Sequence, residues 1–435
     1  MAATKTAKIV PDNDYVVRFL SSWTYRANAF RVADLLVAEN ITDRTSILGV
    51  AKGDEVLAEL VAFLAEARRF IQTIDRKLSI GIVFAVWKEV RRLQPYSADN
   101  PTGEDALRAK VAELEWLFRD TPVTWSIYIV DDECPDGSLE VAQAIVDEAG
   151  WKNIFLLKLR NALPSPELPL SKLDGATSST KGGAILHGMQ QAAKDGHDYV
   201  MYTDCDNSNH LGQIGLFLHE LVGKGKKAAI GDRRATRISE WQTTRESESY
   251  ANYILKRVHA LLDFDLLLGD VTCPFKMFER EYLFGLLERM DVFDFCVDFD
   301  IVGYLKTSGA PVAIVPIVSV DSDSETTWIA LTNVNVWWQK LHGFVYVIEK
   351  YKLAHNEHVA SLVREKLWTQ ENIRKVLEVA AGGVTSNGRR LTAEEQLKMP
   401  FEEVDGWIRS ALATMVTASK VRATQAQSSG CAKIV

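Results

Sequence analysis

The chain lacks any uninterrupted apolar run of the ~18 residues that a membrane-spanning helix needs, so no helical span is expected. Its N-terminal stretch MAATKTAKIVPDNDYVV has no apolar core of the kind a secretory signal carries. The five cysteines (Cys134, Cys205, Cys273, Cys296 and Cys431) are odd in number and show no metal-ligand spacing. Neither a disulfide framework nor a zinc site is therefore expected, and free thiols in a reducing, cytoplasmic setting are. There is no long basic run and no internal repeat, and 50 basic residues against 58 acidic ones leave a net charge of -8. Nucleic acid is not the expected partner of such a surface.

What is present is an ordinary soluble composition, 47% hydrophobic and 25% charged over 435 residues. That length suits one large domain with extensions, or two domains. Residues 1–77 read as a helical region, with apolar-periodic segments Trp23–Ala38 and Val56–Ile74 and Asp54 as N-cap of the second. Residues 78–330 alternate strand and helix patterns: strands Leu78–Val86, Trp125–Val130, Asn153–Leu159, Tyr199–Thr203, Ala228–Ile230 and Val312–Val318. The helices between them are Thr102–Arg119, Leu139–Glu148, Gly183–Lys194, Gln213–Val222, Arg245–Leu262 and Glu279–Met290. This alternation predicts an α/β fold, a mostly parallel sheet with helices on both faces. Residues 331–418 read as helical again (Asn333–Lys352, Val359–Ala381, and Ala393–Ala418 opened by a Thr392/Glu395 capping box). The polar tail 419–435 is expected to be disordered. Residues 162–180, with three prolines and many Ser and Thr, cannot form a regular element and read as a lid-like loop.

The most informative stretch is His197-Asp-Tyr-Val-Met-Tyr-Thr-Asp-Cys-Asp206, a short apolar strand ending in two carboxylates one residue apart. Residues i and i+2 of an extended chain point the same way, so Asp204 and Asp206 can reach one hard cation. Mg²⁺ or Mn²⁺ carrying a diphosphate would use two such carboxylates and complete its shell with phosphate oxygens and water. A solvated acidic turn is the plainer alternative. Asp131-Asp132 follow another strand, where carboxylates can accept from a base or ribose, and Asp136-Gly-Ser138 can equally be a helix cap. Lys181-Gly-Gly183 opens a helix and reads as a phosphate cradle. Gly231-Asp-Arg-Arg234, with Arg237 and Arg245 beyond, offers guanidinium forks for phosphate. Asp270 and Lys276 lie in a tight polar segment between apolar helices, and Asp294, Asp298 and Asp300 sit among aromatics, where carboxyl pKa values rise.

Taken in order, these pieces resemble the inverting GT-A glycosyltransferases of family 2, and among them the dolichyl- and polyprenyl-phosphate mannose or glucose synthases. Ser79–Glu89 resembles their first strand and aromatic-Asn-Glu turn. Asp131-Asp132 with Asp136-Gly-Ser138 resembles V-D-D-x-S-x-D-G-S, Lys181-Gly-Gly-Ala184 with Gly188 resembles G-K-G-x-A-x-x-x-G, and Asp204-Cys-Asp206 resembles D-A-D. Gly231-Asp-Arg233 is similar to G-S-R, Asp270–Lys276 to D-T-Q-C-G-F-K, and Phe295–Asp300 to the F-D-V-E segment. The likeness spans roughly residues 78–323. Val86-Trp87-Lys88 replaces the aromatic-Asn, Pro274 stands in C-G-F-K, Asn207-Ser208 follows the acidic pair, and the helical extensions have no counterpart.

The resemblance implies a Rossmann-like GT-A fold with helical N- and C-terminal extensions. It implies transfer of a hexose from a UDP- or GDP-sugar, with inversion, to an acceptor hydroxyl or phosphate. Ala85, Trp87, Glu89, Asp131, Asp132, Lys181, Asp204, Arg233 and Lys276 would then bind the donor, and Asp204 and Asp206 the Mg²⁺ or Mn²⁺. Asp270 would be the first choice of catalytic base and Asp298 the second. The acceptor stays open between a polyprenyl phosphate, a small metabolite and a protein. The aromatic helix around Trp337 would allow peripheral membrane contact, and a homo-oligomer is equally allowed. Two other readings compete: a haloacid-dehalogenase-like phosphatase, because Asp204-Cys-Asp-Asn-Ser208 approaches its motif, and a catalytically inactive GT-A binding module.

Overall fold

The computed structural model describes residues 11–236, 250–262, 269–320, 334–378, 395 and 398–413. Arg237, Arg245, the Thr392 cap, Cys431 and the tail 419–435 lie outside them.

Seven strands form one sheet: β1 (Leu78–Val86), β2 (Val123–Asp131), β3 (Ile154–Lys158), β4 (Tyr199–Tyr202), β5 (Ala228–Asp232), β6 (Lys276–Glu279) and β7 (Val312–Pro316). Their order is β3-β2-β1-β4-β6-β5-β7, and only β6 runs antiparallel to its neighbours. This is the expected α/β architecture, a mostly parallel sheet with helices on both faces. β1 reads as a near-continuous apolar run because it lies between β2 and β4 with both faces covered. Ile80, Ile82 and Phe84 belong to the main core with the N-terminal helices. Gly81 and Val83 turn to helix Gly182–Lys194, where a Cβ on Gly188 would stand 2.3 Å from Val83 Cγ1. Gly188 is thus a close-packing residue.

The chain divides into two compact units, residues 1–244 with 266–326, and residues 245–265 with 327–435. The first joins the sheet to the N-terminal helices Asn13–Ser21, Trp23–Ala38, Arg44–Val50 and Glu55–Ile71. The Asp54 carboxylate accepts from the Leu57 amide at 2.9 Å, the cap the sequence predicts, worth about 1 kcal/mol. Loop 162–180 is packed down instead of standing free. Leu170 and Leu173 are buried against Phe293, and Lys172 donates to the Met290 carbonyl at 3.1 Å.

The second unit is helical: Tyr250–Leu261, Val334–Tyr351, Glu357–Lys366, Gln370–Glu378 and residues 401–413. The predicted helix Val359–Ala381 is in fact two, broken at residues 367–369. The indole of Trp338 and the ring of His342 both contact the Trp368 carbonyl there. His259 packs on Phe344 with centroids 4.2 Å apart, and Arg257 Nε donates to the Met399 carbonyl at 2.6 Å. Among the described residues no helix is long and apolar enough to cross a membrane.

Candidate active site

β1, β2 and β4 are parallel neighbours, and their carboxyl ends open on one edge of the sheet, where the strand order departs from β1 to β2 on one side and to β4 on the other. Asp131 is the last residue of β2, Asp132 follows it, and Asp204 lies two residues past β4. The turns here carry non-glycine residues at positive φ: Lys88 (60°) after β1, Glu133 (59°) after β2, and Lys181 (74°) before helix Gly182–Lys194. Such backbones cost roughly 1–3 kcal/mol each and persist where the surroundings dictate them.

Lys181 shows what dictates its own. Its amide donates to Asp132 Oδ2, and its ammonium lies 2.6 Å from Asp204 Oδ1. One residue therefore joins the β2 carboxylates to the β4 acidic pair. The helix start is not the open phosphate cradle the glycines suggest. Gly183 N–H is taken by the Phe293 carbonyl and by Ser179 Oγ, and a Cβ on Gly182 would come 2.5 Å from the Phe293 backbone. These glycines let two backbones meet, and the lysine side chain turns to Asp204.

The two acids differ. Asp204 and Asp206 are partly exposed while Cys205 between them is buried; Asp204 meets Lys181, and Asp206 lies among Arg92, Lys110 and Ser208. Burial works against the charge of Asp206, but Arg92, Lys110 and the Ser208 amide (3.1 Å) outweigh it and hold its pKa below the usual range. Burial pushes Asp132 up, and its Oδ1 is enclosed without a hydrogen-bond partner. That orphan acceptor suits an incoming N–H, because an unpaired buried carboxylate oxygen is costly. Asp131 accepts the Cys134 amide at 2.8 Å. Asp136 and Ser138 serve as a cap and a clamp: Asp136 accepts from Ser138 N, and Ser138 Oγ accepts from the Glu89 amide at 2.7 Å. Glu89 is tied to Arg92 at 2.9 Å, and burial, helped by Asp206 and Asp204, pushes its pKa up to about 7. Trp87 is exposed beneath the Lys88 ammonium, and Ala85 is half-buried near the end of β1.

A divalent ion fits this donor set. Two hard carboxylates two residues apart, one of them paired with a lysine that a cation could replace, suit a metal–diphosphate complex. Among the described residues no group of three or more His, Cys, Asp or Glu is gathered to hold an ion by itself. Such an ion would depend on its phosphate ligands.

The remaining expected residues are placed less openly. Arg233 grips Asp270 through Nε at 2.5 Å and Nη2 at 3.1 Å, and also meets Thr272. Burial raises the Asp270 pKa, but Arg233 more than reverses it and holds the carboxyl low. Lys276, expected at the donor, is fully enclosed, with its ammonium spent on Asp298 and on the Cys273 carbonyl at 2.6 Å. Asp298 is buried too and accepts the Tyr202 hydroxyl as well. Asp294 caps its own turn at Cys296 N, and Asp300 accepts the amides of Asp291 and Val292. Sequence reasoning missed Arg92, Glu104 and Lys110. Lys110 had a visible signal, a charge on the core stripe Leu107, Val111, Leu114 of its helix.

No protein-family model matches the chain. It is similar in outline to the solved structure of glucosyl-3-phosphoglycerate synthase from Mycobacterium tuberculosis with Mn²⁺ and UDP-glucose, at 14% identity and TM-score 0.41, covering 67% of this chain and 84% of that one. It is also similar to mannosyl-3-phosphoglycerate synthase from Rubrobacter xylanophilus (14% identity, TM-score 0.43, 66% of this chain and 78% of that one). A third is a mannosyltransferase from Pyrobaculum calidifontis with GDP-mannose and Mn²⁺ (13%, TM-score 0.37, 89% and 98%).

Proposed function

We propose that the protein is a metal-dependent glycosyltransferase that moves a hexose from a UDP- or GDP-sugar to an acceptor hydroxyl or phosphate with inversion. The observation that carries this reading is Lys181, which bridges the β2 carboxylate Asp132 and the acidic pair after β4 at one open sheet edge. That is the layout a nucleotide diphosphate needs, a base-and-ribose end and a phosphate end one side chain apart.

In this reading Asp132, through its orphan Oδ1, takes a base N–H, and Asp131 the ribose. Asp204 and Asp206 hold Mg²⁺ or Mn²⁺, which when bound offsets the charge that develops on the departing diphosphate. Lys181 and Arg233 turn to phosphate oxygens, and Glu89, Ala85 and Trp87 line the nucleotide. Asp270 is the acceptor-side base. Its pairing with Arg233 keeps it ionised, and a phosphate that draws Arg233 away would leave the carboxylate free to take the acceptor proton. Asp298, already committed to Lys276 and Tyr202, ranks second. A phosphatase of the haloacid-dehalogenase type would carry its acidic motif after the first strand of its α/β domain, whereas here three strands precede it.

Calorimetry with UDP- and GDP-hexoses, with and without Mn²⁺, followed by NMR of the product anomer, tests the reading. Manganese-dependent uptake of one donor and a β-linked product from an α-linked sugar are expected. Donor uptake indifferent to EDTA would overturn the metal assignment, and a retained anomer would overturn inversion.

A further inference from the structure

The loop that carries the acidic pair is fastened from behind by buried charges. Lys110, on helix Ala106–Phe118, is fully enclosed, and its ammonium donates to the main-chain carbonyl of Asp206 at 2.5 Å. Glu104 Oε2 accepts the Asn207 amide at 2.7 Å. Asn207 Nδ2 donates to the carbonyls of Leu20 (2.8 Å) and Glu104 (3.0 Å). Glu113, on the same helix as Lys110, accepts the Leu211 amide at 2.7 Å and is paired with Arg26 of helix Trp23–Ala38 at 2.8 Å. Arg26, Glu104, Lys110, Glu113 and Asn207 are all buried.

Such a network is not explained by stability alone, since well-packed apolar residues would serve a core at least as well. What it does supply is registration. The Lys110 ammonium hydrogen-bonds the Asp206 main-chain carbonyl, so it fixes the backbone of the loop, while its charge favours the ionised carboxylate of the same residue. We propose that Lys110 is a positioning residue for the cation site. It holds the Asp206 main chain so that Asp204 and Asp206 present their carboxylates together, and the N-terminal helices, through Arg26 and the Leu20 carbonyl, belong to that support. The proposal rests on the assignment of Asp204 and Asp206 to a cation and diphosphate.

The test compares full-length wild type with Lys110→Met, which keeps bulk and loses the donor, and Lys110→Gln, which keeps an N–H donor. Two readouts are used: uptake of Mn²⁺ alone by calorimetry, and hydrogen exchange of the Asn207 and Leu211 amides in chelator. For Lys110→Met, Mn²⁺ affinity falls about 10-fold or more, the range seen for groups that orient metal ligands. The two amides exchange faster while those of β1 and β2 keep wild-type rates, and Lys110→Gln recovers most of both. Unchanged affinity and unchanged exchange in a folded Lys110→Met overturn the proposal. If that variant does not fold, Asn207→Ala removes the Nδ2 bonds to the Leu20 and Glu104 carbonyls and keeps the amide bond to Glu104 Oε2, and the same pair of readouts decides whether this support holds the loop. A wild type that takes up no Mn²⁺ even with UDP or GDP present sinks the cation assignment, while exchange in chelator still decides whether Lys110 holds the loop.

Discussion

Two lysine–aspartate pairs stand at the same end of the sheet and do opposite things. In Lys181–Asp204 the side chains keep 23% and 35% of their surface exposed, and in Lys276–Asp298 only 0% and 6%. An exposed pair is held weakly, because water competes for both charges, so a cation or a phosphate can split it at small expense. A buried pair cannot be split, since removing either partner strands a bare charge in a poor solvent. In the proposed function the open pair is where ligands exchange. The closed pair joins β6, β4 and helix Val297–Thr307 through Tyr202 and is part of the frame.

The largest difference is expected from Lys276→Met. Leaving Asp298 buried without its cation should destabilise the fold by about 3–5 kcal/mol in urea unfolding. Donor affinity per folded molecule should hold. A variant of wild-type stability that has lost donor affinity would place Lys276 in the site and erase the contrast. Asp204→Asn should do the reverse. Stability changes by about 1 kcal/mol, because water still reaches both members of the pair, while Mn²⁺-dependent transfer falls roughly 10²–10³-fold. Near-normal turnover would refute the metal role of Asp204.

Lys181→Met sharpens the same contrast with two effects of opposite sign. Nucleotide-sugar affinity should drop about 10-fold, the worth of one charged hydrogen bond. Affinity for Mn²⁺ alone should hold or rise, because the ammonium no longer competes for Asp204. A parallel fall in both would mean that Lys181 supports the loop and does not meet phosphate.

The sequence carried the sheet and the acidic edge because both rest on local pattern. β1 is apolar on both faces, and the i, i+2 spacing of Asp204 and Asp206 follows from an extended chain. It did not carry β6, whose four residues Lys276–Glu279 show no alternation and read as the end of a polar motif. Helix Val297–Thr307 was hidden likewise, because its first turn holds Asp298 and Asp300, which read as site acids. The assignment of Lys276 to the donor failed for a related reason. A lysine beside an aspartate in a family-like motif looks the same in sequence whether water reaches it or not, and only the packing of β6 between β4 and β5 decides. The glycines at 182 and 183 misled in the same way, since close approach to the Phe293 backbone and openness to phosphate both call for glycine.

The smallest effect concerns pH, and it probes the surroundings of the open pair. Burial pushes Glu104 up to about 8 and Glu89 up to about 7, with Asp206 adding to both, while an unfolded glutamate loses its proton near 4.5. Between those values the native state holds protons that the unfolded chain has released, so stability falls as pH rises from about 4.5 to 8. Asp206 acts oppositely, since its lowered pKa contributes stability that is lost only on acidification. In chelator the urea midpoint should therefore decline between pH 5 and pH 8. A divalent ion at Asp204 and Asp206 adds positive charge beside both glutamates, favours their ionised forms and should flatten that decline. Curves that coincide with and without Mn²⁺ would mean the ion does not sit beside Glu89 and Glu104. The acidic edge would then lose its claim to be the exchangeable half of the comparison, because nothing else in this neighbourhood distinguishes a cation site from a lysine-braced turn.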